Sequence, residues 1–291
     1  MSAARPDGGG PTVRRMQLGA RLRALREAKG ITRDKAGYTI RGSESKISRM
    51  ELGRVGFKER DVTDLLELYG VTDPDEHERM LALTREANAP GWWQPYNDLL
   101  APWFRDYLGL EEATELIRTY EVQFVPGLLQ SEDYARAVIM LGHGQADTSE
   151  LERRVELRMA RRRILDRPHR PRLWAVLDEA VLRRPIGGPA ILRAQIAALV
   201  ELCEHPGIRL QVLPFASGGH AAAGGAFSIL RFPFADIQDT VYIEQLTTAQ
   251  YLDKREDVDR YSAAVAKLFI EAEPPDRTPD ILRGVLRDLD R

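Results

Sequence analysis

The chain has 291 residues, 43% of them hydrophobic and 30% charged, which is the composition of an ordinary soluble protein with room for two domains. It has no apolar run of about 18 residues, so no membrane span is predicted, and its first residues lack the apolar stretch of a signal peptide. Its single cysteine, Cys203, excludes an intrachain disulfide. We therefore expect a cytoplasmic protein that does not bind a membrane.

The net charge of −2 hides an uneven distribution of charge along the chain. Residues 1–60 contain 15 Lys and Arg against 6 Asp and Glu, whereas the remaining residues contain 27 against 38. A basic segment joined to an acidic body is typical of proteins whose basic part binds nucleic-acid phosphates. Basic segments also bind RNA and membranes, so the charge alone does not identify the partner as DNA.

Residues 1–14 are rich in Gly, Pro and small side chains, and we predict that they form a disordered tail. Helical periodicity starts at Met16, and Thr32 and Ser43 are suitable N-caps for a second and a third helix. Residues 15–89 are therefore predicted to fold as a compact all-α domain. Its five helices are expected at about 16–29, 32–39, 44–52, 58–69 and 73–89.

The third predicted helix has two faces of different character. Ile47 and Met50 point in one direction, whereas Ser45 and Arg49 point away from them. Glu44, Lys46 and Ser48 flank that outward face. An arginine can pair with two atoms of guanine, hydroxyl groups can bond phosphates or base edges, and a helix N-terminus favours a phosphate. The pattern predicts a recognition helix for the major groove of DNA; a solvated helix face is the alternative.

Beyond residue 89 the pattern changes. Residues 90–110 carry Trp92, Trp93, Trp103 and several prolines and are predicted to form an aromatic connector. The rest, 111–291, is predicted to be a larger α+β domain that senses a ligand or binds a partner. Helices are expected at about 111–124, 131–141, 149–166, 189–204 and 258–272, with one short helix near the end. Strands are expected at 172–178, 208–213, 226–232 and 240–246.

Polar residues near predicted strand ends suggest a ligand or partner pocket in this second domain. A glycine-rich loop at 217–225 could cover it, although a plain hairpin loop is the alternative. A solvated strand end or a contact between subunits would equally explain these residues. The pocket candidates are Asp178, Glu179, His220, Glu244 and Tyr251.

Patterns typical of enzymes are missing from the sequence. The five histidines show no paired metal-ligand spacing, and there is neither a GxSxG nor a GxxxxGK[ST] pattern. We therefore predict no catalytic residue, no metal site and no cofactor.

Residues 32–54 resemble the helix-turn-helix of the XRE family, the phage-repressor-like regulators. The resemblance lies in Thr32, the run Ser43-Glu44-Ser45-Lys46-Ile47-Ser48, and Glu51-Leu52-Gly53. It implies that Glu44, Ser45 and Arg49 read bases. It also implies that Arg33, Lys46 and Arg54 contact the DNA backbone. Thr32, Ser43 and Ser48 complete the expected DNA-binding set.

The same resemblance assigns a structural role and shows two departures. Arg26 and Glu51 occupy the positions of an ion pair that ties the first helix to the third. Arg33 stands where the family usually has Gln, and Arg41-Gly42 shifts the turn glycine by one place. The fold is expected to tolerate both departures, but the DNA target cannot be derived from the family.

Further segments resemble a large actinobacterial group of regulators, in which an XRE head precedes a domain of unknown function. These segments are 91–96, 125–135, 177–182, 211–215 and 251–253. Members of that group are described as antitoxin-like regulators, often encoded beside a small partner protein.

Together, the residues and the resemblance predict a non-enzymatic regulator that binds double-stranded DNA. We expect a homodimer, because a short half-site read by one helix needs duplication for adequate affinity. A small protein encoded nearby is a further expected partner. The alternative is an interaction scaffold that sequesters such a protein.

Overall fold

A computed structural model describes residues 11–234 and 237–290. The described chain divides into two compact units. The first, the helical unit, holds the described residues up to Pro95 together with Phe104–Ala113, Phe234 and Ile237. The second, the sheet unit, holds Tyr96–Trp103, Thr114–Pro233 and the described residues from Gln238 onward. This layout confirms the prediction of an all-α N-terminal part followed by a larger α+β domain.

The helical unit contains the five predicted helices and part of a sixth. Leu18, Leu22, Ile47, Leu65 and Leu66 form the centre of its core, each at most 1% exposed. The helices are α1 (Pro11–Ala28), α2 (Arg33–Thr39), α3 (Glu44–Glu51), α4 (Glu59–Leu68), α5 (Pro74–Ala87) and α6 (Pro102–Ala113).

The first helix begins earlier than its sequence suggested. Of the predicted tail 1–14, residues 11–14 belong to α1, and residues 1–10 lie outside the described part of the chain. Val13 is buried like Met16 one turn later, so the apolar stripe of α1 extends beyond the predicted start. Pro11 is compatible with a first helical turn, because the amide hydrogen it lacks has no partner there.

Two predictions for the middle of the chain are corrected. The aromatic connector 90–110 is not a simple linker, because α6 starts at Pro102 and buries Tyr107 and Leu108. The helix expected at 111–124 is wrong beyond Ala113, because Leu116–Glu121 forms a strand. Ile117 and Tyr120 are buried on this strand, and pairing with two neighbouring strands outweighs the helix propensity of its Leu, Arg and Glu residues.

The sheet unit is built on one six-stranded mixed sheet. Its strands lie in the order β3-β2-β1-β4-β5-β6; β1, β2 and β3 are parallel, and the remaining pairs are antiparallel. The strands are β1 (Leu116–Glu121), β2 (Arg172–Asp178), β3 (Ile208–Leu213), β4 (Phe227–Arg231), β5 (Thr240–Glu244) and β6 (Ala249–Leu252). Sequence patterns predicted β2 to β5 but missed β1 and β6.

Six helices accompany the strands in the sheet unit. One of them, α11, packs Val265 and Leu268 against the face of the sheet that carries Tyr120, Val176 and Val241. The helices are α7 (Glu132–Gly142), α8 (Thr148–Arg162), α9 (Glu179–Arg183), α10 (Pro189–Leu202), α11 (Arg255–Glu271) and α12 (Thr278–Leu289). None of the helices in the described residues is both long and apolar enough to span a bilayer.

Candidate nucleic-acid interface

Helices α2 and α3 are joined by a tight four-residue turn. The amide of Gly42 donates to the carbonyl oxygen of Gly37 at 2.8 Å. A Cβ atom on Gly37 would lie 2.9 Å from the carbonyl carbon of Ser43, so only glycine permits this approach of the two backbones. Ser43 then caps α3 by accepting from the amide of Lys46, as Thr32 caps α2 by accepting from the amide of Lys35. The turn therefore fixes the start of α3 relative to α2.

The orientation of α3 separates core side chains from exposed ones. Ile47 and Met50 are each 1% exposed and belong to the core of the helical unit. Ser45 and Arg49, together with Ser43 and Glu44 at the start of the helix, are exposed. The structure thus presents hydroxyl groups, one carboxylate and one guanidinium on the outward face, which is the chemistry that base edges and phosphates require.

Lys46 is held by the protein itself. Its Nζ atom lies 2.5 Å from Oδ2 of Asp61, on α4, and its side chain is 31% exposed. The sequence-based view of Lys46 as a backbone contact did not include this partner. A phosphate at this place would therefore have to share the ammonium group of Lys46 with Asp61 or replace Asp61 as its partner.

The predicted ion pair between Arg26 and Glu51 is buried and bidentate. Nε and Nη2 of Arg26 donate to the two carboxylate oxygens of Glu51 at 2.5 and 3.1 Å, and Nη1 donates to the carbonyl oxygen of Ile31 at 2.8 Å. The hydrogen bond to Glu51 raises the pKa of Arg26. Because both side chains are under 10% exposed, this pair ties α1 to the end of α3.

Arg33 also bonds Glu51, with 3.1 Å between its Nε and Oε2 of Glu51. It was expected to contact the DNA backbone, and its side chain is still 35% exposed. Arg54, the third expected backbone contact, lies just after α3 and is half-buried. Asp106 on α6 belongs to the same unit; burial raises its pKa, and nearby positive charges, among them Arg54 and Arg49, lower it. Sequence reasoning missed Asp106, because it lies far from both arginines along the chain.

In the sheet unit, two of the five pocket candidates meet through a residue that was not predicted. The hydroxyl of Tyr120, at the end of β1, lies 3.3 Å from Oδ2 of Asp178 and 3.1 Å from Nε2 of His220. His220 accepts from the amide of Ala222 through Nδ1, so its proton is on Nε2 in the neutral form and Tyr120 donates to Asp178. Burial and the nearby Asp178 carboxylate raise the pKa of Tyr120.

Glu179 lies beside this group but has other partners. Its Oε2 accepts from the amide of Phe215 at 3.0 Å, and its Oε1 accepts from Arg183 at 3.2 Å. The glycine-rich loop is therefore held at His220 within it and at Phe215, two residues before its start; both residues lie near the carboxyl ends of the parallel strands.

Glu244 and Tyr251 lie on the opposite face of the sheet from Tyr120. The hydroxyl of Tyr242 donates to Oε2 of Glu244 at 2.9 Å, and that of Tyr251 donates to the carbonyl oxygen of Trp103 at 2.6 Å. Burial, with Glu244 nearby, raises the pKa of Glu121 to about 8. The structure therefore divides the five pocket candidates between two sides of the sheet rather than gathering them in one place.

Comparisons with known families cover both units of the chain. Residues 17–80 match the model of a helix-turn-helix domain. Residues 104–284 match the model of the domain of unknown function DUF5753. No curated protein and no solved structure shows significant similarity.

These matches agree with the boundaries of the fold. The first spans α1 to α5 up to Met80, and the second runs from α6 through the whole sheet into α12. The protein is thus a helix-turn-helix regulator with a second domain of unknown function. Since the second match covers more than half of its length, the chain belongs to the DUF5753 family.

Proposed function

We propose that this protein is a sequence-specific transcriptional regulator of the XRE type, in which α3 enters the major groove of DNA. The observation that carries the proposal is the exposed face of α3, where Ser45 and Arg49 point outward while Ile47 and Met50 anchor the helix in the core. Glu44, Ser45 and Arg49 are the proposed base-reading residues. An arginine pairs best with guanine, and a glutamate accepts from the amino group of cytosine.

Hydroxyl groups at both helix starts are suited to phosphates. Thr32 and Ser43 accept backbone amides with their oxygen atoms and can still donate their hydroxyl protons to a phosphate oxygen. Ser48 and Arg54 would add contacts along the same strand. Arg33 and Lys46 contribute less in this proposal, because carboxylates of the protein already compensate their charges.

The proposal includes a homodimer acting in the cytoplasm. One helix of eight residues reads only a few base pairs, and two copies on adjacent half-sites provide the affinity and specificity that one cannot. The chain is proposed to act by binding and not by catalysis, with the sheet unit changing DNA affinity when it binds a ligand or partner. The Tyr120, Asp178 and His220 group supports this role, because it connects the end of β1 to an exposed glycine-rich loop.

The experiment is a selection of duplexes of about 30 base pairs from a random pool, followed by measurement of affinity and of the number of chains bound per duplex. Arg49→Ala is expected to weaken binding to the selected duplex by about 10- to 100-fold and to reduce discrimination against changed bases. Arg79→Ala, which removes an exposed side chain on α5, is the matched control, and this variant should bind DNA like the wild type. Equal affinity of Arg49→Ala and wild type would exclude Arg49 as a reader, and absence of any selected sequence would exclude the function.

A second candidate function is an antitoxin-like scaffold that sequesters a small protein. Met140 and Leu141, at the end of α7, are 52% and 65% exposed, and such apolar exposure favours a protein partner. Co-purification from the native host separates the two functions. A stoichiometric small protein bound to a chain that selects no DNA sequence would favour the scaffold.

A further inference from the structure

The turn between α2 and α3 contains an unusual backbone conformation at Arg41. Its φ angle is +53°, and no other residue except glycine has a positive φ in the described part of the chain. Residues other than Gly, Asn and Asp rarely adopt this left-handed backbone conformation. Gly42, which would relieve the conformation, comes one position too late. The sequence therefore keeps an arginine where glycine would be the less costly residue.

Intramolecular contacts give no reason for an arginine at this position. The side chain of Arg41 is exposed, and it makes no hydrogen bond or ion pair with any residue that the structure describes. Only its backbone amide is used, donating to the carbonyl oxygen of Tyr38. The left-handed backbone at Arg41 costs free energy, and no contact within the described chain explains why an arginine stands there. This points to a partner outside the protein.

Arg41 continues a stripe of exposed side chains on α2. Lys35 and Tyr38 precede it at intervals of three residues, and Tyr38 is 86% exposed. Three residues make almost one helical turn, so Lys35 and Tyr38 lie on the same side of α2. Ser43 and Glu44, which are exposed at the start of α3, follow directly. The stripe is therefore continuous in sequence with the proposed reading face.

The charges of this stripe are uncompensated, in contrast to most others of the helical unit. Arg21 pairs with Glu76, Arg26 with Glu51, and Lys46 with Asp61. Lys35 and Arg41 have no carboxylate within ion-pair distance among the described residues. Two free cations and one phenol form a surface suited to a polyanion.

We propose that Lys35, Tyr38 and Arg41, the turn surface, bind the sugar-phosphate backbone beside the groove that α3 occupies. The guanidinium of Arg41 can donate two hydrogen bonds to phosphate oxygens, and the phenol of Tyr38 can donate one. Lys35 adds a point charge. The partner is double-stranded DNA, so this inference rests on the proposed function and adds contacts that are independent of base sequence.

The test uses the full chain with Arg41→Gly, because glycine removes the charge and also the backbone cost. Affinity is measured on the selected duplex and on a scrambled duplex, from about 0.05 M to about 0.2 M salt. Loss of one phosphate contact should weaken binding to both duplexes by about fivefold per protomer near 0.15 M salt. The slope of log affinity against log salt should become shallower by about 0.9 per protomer. The thermal midpoint should stay equal or rise by a few degrees.

Two further variants separate charge from conformation. Arg41→Lys keeps the charge in the same backbone conformation and should retain most of the affinity and the salt slope. Tyr38→Phe keeps the ring and should lose a smaller part of the affinity on both duplexes, with an unchanged salt slope. Arg79→Ala, on α5, again serves as the control outside the proposed surface.

Two results would overturn the turn surface. One is an Arg41→Gly protein whose affinity and salt slope match the wild type; the other is a lower affinity with unchanged slope and a lower thermal midpoint. If no sequence is selected but the scrambled duplex still shows the Arg41 effect, the turn surface stands and the sequence-specific function fails. If the selected duplex is bound and only the Arg41 effect is missing, the turn surface fails and the sequence-specific function stands.

Discussion

At the scale of single residues, the most consequential group of the helical unit is the carboxylate of Glu51. It accepts from Arg26 and Arg33 and is almost completely buried. A buried charge is tolerable only when its partners remain, since its removal leaves the opposite charge without compensation. Glu51 therefore fixes α1, α2 and α3 relative to one another while its neighbour Arg49 stays exposed.

Substitution of Glu51 by Ala should lower the free energy of unfolding by about 3 kcal/mol, because buried Arg26 would keep only the exposed carboxylate of Glu27, at 3.3 Å, as a counter-charge. The double variant Arg26→Met with Glu51→Leu should recover most of that loss, and Arg33 can turn to solvent. Urea unfolding of the three proteins measures both values. Equal destabilisation of the single and the double variant would show that the pair is not what couples these helices.

The residue scale also shows where sequence reasoning ends. The exposed face of α3 could be expected from helical periodicity, and the Arg26–Glu51 pair from the resemblance to the XRE family. Asp61 as a partner of Lys46 could not, since Asp61 was read only as part of a separate helix. Likewise the sequence showed that the turn glycine is shifted by one place. Only the positive φ angle of Arg41 showed that this residue takes up the unfavourable backbone conformation.

At the scale of elements, α1 and α3 cross with their backbones almost in contact. A Cβ atom on Gly19 would lie 2.4 Å from the carbonyl oxygen of Met50 and 2.6 Å from that of Glu51. Backbone atoms cannot move aside as a flexible side chain can. The position of the proposed recognition helix therefore depends on a glycine in a different helix.

Gly19→Ala should separate α1 from α3, cost about 2 kcal/mol of unfolding free energy and weaken DNA binding. Gly142→Ala is the matched control, because a Cβ atom at the end of α7 meets nothing within 4 Å. Urea titration and affinity for the selected duplex test both variants. A Gly19→Ala protein as stable as the control would mean that the two helices can shift without cost.

Sequence patterns performed differently for helices and strands. Helices α1 to α5 were predicted one by one, because caps and apolar periodicity are local signals, whereas α6 in the same unit was missed. The strand β1 was taken for helix, since its pairing with β2 and β4 brings together segments more than 50 residues apart along the chain. The four-residue edge strand β6 was missed because its alternation is too short to recognise.

At the scale of the whole molecule, charge is divided between a basic N-terminal segment and an acidic remainder. The basic segment favours contact with DNA, whereas an excess of carboxylates disfavours it elsewhere. Within the sheet unit, the end of β1 brings a further carboxylate, Glu121, close to Glu244. These two are 123 positions apart, so no pattern in the sequence could relate them.

The half-buried carboxyl of Glu121 makes the stability of the sheet unit depend on pH. Its pKa is about 8 in the folded protein against an ordinary value of 4.5, so the folded form keeps a proton that the unfolded chain releases. Stability from this group is therefore present below pH 4.5 and is lost as pH rises to about 8.

Glu121→Gln, which is neutral at every pH, should be more stable than wild type by about 1 kcal/mol or more near pH 8 and equal to it near pH 4.5. Glu201→Gln, on the exposed side of α10, should follow the wild-type pH profile. Urea unfolding across this pH range measures the stability of the three proteins; parallel profiles for Glu121→Gln and wild type would contradict the assignment.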